Sequence, residues 1–162
     1  MSSTATLELD LYETMIDFLR ANIADPINRS DPRWITIGYP EDVYTKPAIS
    51  VLEVAMTYRK PKSHGHQGTL EGYRYHIDIY SSRRTTATIS STKYSGMHLL
   101  TYLSSIMKDA LEQNGRLYFH NNLGQKLTDF KLILANTPPY NEGADEYRKT
   151  IGVIIEVERP KT

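Results

Sequence analysis

Residues Tyr73–Tyr80 read YRYHIDIY. Tyr73, Tyr75, Ile77 and Ile79 alternate with Arg74, His76, Asp78 and Tyr80. A period of two places the first set on one side of a β-strand and the second set on the other. Upstream, Ala48–Tyr58 (AISVLEVAMTY) is rich in β-branched and apolar residues and reads as a partner strand. Simple alternation assigns Leu52, Val54, Met56 and Tyr58 to one face, and Ile49, Val51, Glu53, Ala55 and Thr57 to the other. Between the two runs lies Arg59–Gly72 (RKPKSHGHQGTLEG), which has no apolar period. It predicts a long, mobile hairpin tip at about 59–72, with Gly65, Gly68 and Gly72 supplying flexibility.

Outward from this hairpin, DLYETMIDFLRANI (10–23) carries Leu11, Met15, Phe18, Leu19 and Ile23 at helical spacing. Asp10 and Glu13 resemble a capping box, with a start one turn earlier left open, and Asp25-Pro26 marks the end. Residues 26–47 are punctuated by prolines; Trp34, Ile35 and Ile37 read as a short strand or, in preference, an apolar latch over the core. Ser81–Lys93 reads as a Ser/Thr-rich connection. A second amphipathic helix is expected from about Tyr94 to Asn114, on Met97, Leu100, Leu103, Met107 and Leu111, with Gly115 as its left-handed stop. Arg116–Phe119 reads as a short strand. Asp129–Ala135, with Phe130, Leu132 and Leu134 on one face, and Glu146–Glu158 complete a second hairpin around a turn-rich tip. In the last strand Tyr147, Ile151, Val153, Ile155 and Val157 oppose Arg148, Thr150, Gly152, Ile154, Glu156 and Glu158.

The expected fold is therefore one α+β domain over 1–162, in the order α-β-β-α-β-β. Two β-hairpins form an antiparallel four-stranded sheet, and two helices pack on one face. The other face then carries Ile49, Val51, Tyr80 and Ile154, more apolar surface than a lone monomer normally leaves open, and these residues are candidate partner contacts.

The chain has 162 residues, with 19 Lys+Arg against 19 Asp+Glu. Zero formal charge argues against a dedicated nucleic-acid or polybasic membrane binder. The absence of cysteine removes disulfides, thiolate metal sites and Cys nucleophiles together. The opening MSSTATLELDLYE has neither the basic nor the apolar segment of a signal peptide, and no apolar run has the length of a membrane span. Twelve Tyr against three Phe suit surfaces half-buried against partners.

No motif for chemistry emerges, and no catalytic residue, metal ligand or cofactor is assigned. His64-x-His66, with His76 beyond, lacks a third ligand at suitable spacing and reads as a solvated loop. No Gly-x-Ser-x-Gly elbow is present, and the glycines do not form a phosphate loop. The basic run Arg59, Lys60 and Lys62, with His64 and His66 and joined by Arg83 and Arg84, reads as a solvated face or a partner contact at a hairpin tip.

The initial helix DLYETMIDFLRANI, the strand KPAISVLEVAMTY, the tip RKPKSHGHQGTLEG, the strand GYRYHIDIYSS, the helix YSGMHLLTYLSSIMKDALEQNG and the closing strand EYRKTIGVIIEVE together resemble the tail-terminator (tail-completion) proteins of long-tailed bacteriophages. The resemblance covers nearly the whole chain and lies in size, element order and texture. It implies a virion structural protein of the neck, assembled in the host cytoplasm, with no catalytic residues. It implies a homohexameric ring that caps the tail tube, ends its polymerisation and meets the head-side connector, with DNA passing through the lumen without specific binding. A head–tail adaptor, a tail-tube subunit and a small ferredoxin-like binding module are the alternatives.

Overall fold

The computed structural model describes residues 4–38, 46–61, 68–123 and 126–159. Helix α1 spans Thr4–Asn22, β1 Ile35–Ile37, β2 Ala48–Pro61 and β3 Thr69–Ser81. A small hairpin follows, β4 (Thr86–Ile89) and β5 (Thr92–Ser95), then α2 (Gly96–Ala110), α3 (Arg116–Asn122), β6 (Lys126–Asn136) and β7 (Tyr147–Arg159).

The main sheet has five strands in the order β1-β2-β3-β7-β6. The expected four-stranded antiparallel sheet is corrected on three points. First, Ile35–Ile37 is a strand rather than a latch, and it pairs parallel to β2, Ile35 opposite Ile49 and Ile37 opposite Val51, so the sheet is mixed. Second, the Ser/Thr-rich connection folds into the β4–β5 hairpin, a separate two-stranded sheet. Third, Arg116–Phe119 is helical. Gly115 does not stop the helix: it has φ −58° and ψ −49°, and the chain runs from α2 through a wide π-turn at Leu111–Gly115 directly into α3. A Cβ at Gly115 would lie 2.6 Å from the Phe130 ring, so glycine is required by close approach of β6 rather than by a left-handed cap.

The β2–β3 hairpin is longer and its tip shorter than expected. Arg59 pairs with Glu71, Lys60 with Leu70 and Pro61 with Thr69, so the strands consume half of the predicted tip. Lys62, His64 and His66 lie outside the described residues. Gly72 is also a strand residue, and a Cβ there would lie 2.3 Å from the Tyr58 ring, which covers it.

One face of the sheet makes the core. Tyr73, Tyr75, Ile77 and Ile79 from β3 join Ile151, Val153, Ile155 and Val157 from β7. Leu7, Leu11, Met15, Phe18 and Leu19 of α1 cover them, with Leu99, Leu100, Leu103 and Met107 of α2 and Phe119 of α3. Each of the larger of these side chains contributes roughly 1.5–3 kcal/mol by leaving water. Edge-on aromatic contacts lock the layers, Phe18 to Tyr118 at 5.3 Å and Tyr75 to Phe119 at 6.2 Å between ring centroids. The segment after α1 is pinned at one point: Arg29 bonds Asp25 at 2.7 Å, donates to the Pro47 carbonyl at 2.7 Å and lies over the Trp34 ring.

The alternation expected in β3 and β7 is present, but that in β2 and β6 is not. Bulges interrupt β2 between Val51 and Glu53 and again between Met56 and Tyr58, and β6 between Leu127 and Asp129 and between Leu132 and Leu134. Each extra residue flips the phase, so a single two-fold pattern cannot be carried along either strand.

Candidate interaction surface

The quartet expected on the open face is divided by these bulges. Ile49 and Val51 are fully buried in the helix-covered core. They face the helices because, on the near side of the first bulge, they sit opposite Ile79 and Ile77. Tyr80 and Ile154 belong to the other face, among Arg74, His76, Asp78, Arg148, Thr150 and Glu156, and take no part in the main core. The face is therefore dominated by polar and charged residues rather than half-apolar.

Two carboxylates organise it. Near the β2–β3 tip, Tyr58 donates its hydroxyl to Glu156 at 2.5 Å and Thr128 donates to the same carboxylate at 2.8 Å, while the Lys60 ammonium stands 3.5 Å away. One side chain of β7 thus ties β2 and β6 across the sheet, and the Tyr58 ring reaches it by lying flat over Gly72. Burial raises the Glu156 pKa, but the bonds from Tyr58 and Thr128 and the Lys60 charge outweigh it and hold the group below its ordinary value. Burial and the Glu156 bond push the Tyr58 hydroxyl up to about 12.

At the other end, Asp78 accepts hydrogen bonds from Thr150 and, at 3.2 Å, from Tyr80, and the Arg148 guanidinium lies 3.7 Å away. Burial and the Asp78 charge drive the Tyr80 hydroxyl well above its usual range. Both Asp78 and Tyr80 are buried, so Tyr80 is a strut of this network more than an exposed contact. Ile154 is half-buried between the two centres.

The basic residues expected to act together are distributed. Arg59 is bonded to Glu71 at 3.3 Å; Glu71 is buried on the core side, where it also accepts from Tyr73 at 2.6 Å and meets Arg159 at 3.6 Å. Lys60 goes to Glu156 on the opposite face. Arg83 and Arg84 follow the far end of β3, some twelve residues or roughly 40 Å along the strand. There Arg83 stacks over Tyr140 at 4.1 Å, inside a cluster where Tyr140 bonds Asp145 and packs on Tyr147. Arg59 and Lys60 thus each pair with a carboxylate at the hairpin stem while their side chains stay 59% and 56% exposed.

Sequence reading missed Glu71 and Glu156, the two residues that hold that stem. A usable signal existed: each is an isolated carboxylate in a strand within register reach of a tyrosine and a cation. Among the described residues no group of three or more His, Asp or Glu side chains is arranged to hold a metal ion, and no helix is long and apolar enough to cross a membrane.

No protein-family model and no curated protein matches this chain. One structure that resembles it belongs to the virion of a native gene transfer agent (GTA) particle. That likeness covers 87% of this chain and 95% of the other, at 12% identity and a TM-score of 0.47.

Proposed function

We propose that this chain is a virion structural protein of tail-terminator type. It forms a ring that caps the tail tube, ends tube growth and joins the tail to the head-side connector. The reading rests on the resemblance of the six sequence segments, and on one observation in the fold: all the helices that build the core lie on a single side of the sheet. The second face carries bonded carboxylates, tyrosines and cations, and the sheet ends in two unlike edges, β1 and β6. Two unlike edges suit a ring, because a closed ring is built from a heterologous contact between different patches. A neutral chain suits a conduit for DNA, since an excess of basic residues would retain the phosphates.

Negative-stain microscopy of the purified full chain tests the reading. Closed rings of uniform diameter support it. Tubes that lengthen with concentration favour a tail-tube subunit instead, and a protein that remains monomeric favours a small binding module.

A further inference from the structure

The two edges of the sheet differ in charge. Beside β1, a cleft of about 390 Å³ between α1 and the strand is lined by Glu13, Ile16, Asp17, Arg20, Thr36 and Ile37. Ile37 is 49% exposed there. Arg20 is directed to the Ile35 carbonyl at 2.8 Å, and among the described residues Glu13 and Asp17 enter no ion pair. The cleft is thus acidic around an apolar floor.

The opposite edge is β6, flanked by α3. It presents Lys126 and Lys131 with side chains 69% and 56% exposed, the exposed Arg116, and Leu117 at 63%. Lys126 meets Glu158 at 3.3 Å and Lys131 meets Asp129 at 3.9 Å. The Lys131–Asp129 pair is exposed on both sides and worth about 0–1 kcal/mol, so Lys131 can exchange partners at little cost, while Lys126 keeps its bond to the mostly buried Glu158 and still has ammonium hydrogens to offer outward. Arg116 makes one long bond, 3.3 Å to the Thr128 carbonyl.

We infer that the acidic α1–β1 edge of one copy receives the basic α3–β6 edge of the next, with Glu13 and Asp17 facing Arg116, Lys126 and Lys131, and Leu117 approaching Ile37. The inference rests on the ring reading above and names the two patches that ring requires. The contact is made by side chains and not by a continuous sheet. The two bulges in β6 and the Arg116 cap on Thr128 spoil its outer edge as a template for another strand. Charge complementarity of this type fixes register and partner choice, and it weakens with salt.

Charge swaps on the full chain test it, with association followed by sedimentation velocity and helix content by circular dichroism. One variant is E13K/D17K, the other K126E/K131E. Each alone is expected to associate at least about tenfold more weakly, a loss of about 1.4 kcal/mol per contact, with unchanged helix content. An equimolar mixture then regains assembly, because each reversed edge meets its complement in an alternating ring. Wild-type assembly with both variants assembling normally overturns the edge contact and leaves the ring reading standing. Impaired variants that no mixture rescues also overturn it. A wild-type protein that stays monomeric overturns the ring reading itself. E13Q/D17N, which removes charge without reversing it, is expected to fall between wild type and E13K/D17K; a loss as large as the reversal overturns the electrostatic account.

Discussion

The two faces of the sheet are held by different physics. The helix-covered face is apolar, continuous and without alternatives: Val51, Ile77, Ile151 and Val153 are all buried against α1 and α2. The open face is held by a few directional bonds converging on Glu156 and Asp78. Losing one residue on the first face leaves a cavity or a buried charge. Losing one on the second loosens a local brace between strands. Global stability therefore belongs to the covered face, and the geometry of the sheet ends belongs to the open one.

This contrast can be broken most sharply at Val51. Replacing it with Glu puts an unpaired carboxylate among fully buried side chains, and thermal or denaturant unfolding should show a loss of about 4 kcal/mol or more. Had Val51 lain on the open face, the fold would tolerate the change. Gly115→Ala comes next. Alanine gains about 1 kcal/mol of helix propensity, but the Phe130 ring must move, and a net loss of about 1–2 kcal/mol is expected from overpacking. A stabilised variant would mean that the helix and β6 do not approach as closely as described.

On the open face, Glu156→Gln should cost about 1–3 kcal/mol, since it removes bonds to a charged acceptor. The variant also sharpens the comparison through pH. A carboxylate held below its ordinary pKa contributes stability that is complete above the unfolded value near 4.5 and is lost as pH falls through the lower folded value. The wild type should therefore lose stability on acidification below about pH 4.5 more steeply than the Gln variant; superimposable profiles would remove Glu156 as a brace. Tyr58→Phe should have the smallest effect, about 1 kcal/mol at neutral pH, because the ring still covers Gly72 and only one hydrogen bond goes.

Legibility in the sequence follows the same division. The phases of β3 and β7 and the apolar faces of α1 and α2 could be read because burial imposes an uninterrupted period. The phases of β2 and β6 could not, since a bulge costs one residue and leaves no mark in composition. The three residues of β1 are too few to show a period. The β4–β5 turn was hidden because Ser90 and Ser91 both adopt positive φ, at 49° and 67°, where Asn or Gly would have announced it. Gly115 and Gly72 carried the opposite meaning from the one their surroundings suggested: each marks a ring packed onto backbone. The assignment of Ile49 and Val51 to the open face followed directly from the unseen bulge. The Glu156 brace was the harder to read, because Tyr58 and Thr128 lie on other strands, 98 and 28 residues away, whereas Tyr73 stands two residues from Glu71 and gives a local signal.

The most direct test of the whole account is the mass of the purified full chain in solution across a wide concentration range. The account predicts a single closed species at a fixed multiple of the 18.5 kDa protomer, dissociating as salt is raised. A lone 18.5 kDa species at every concentration and ionic strength would contradict it.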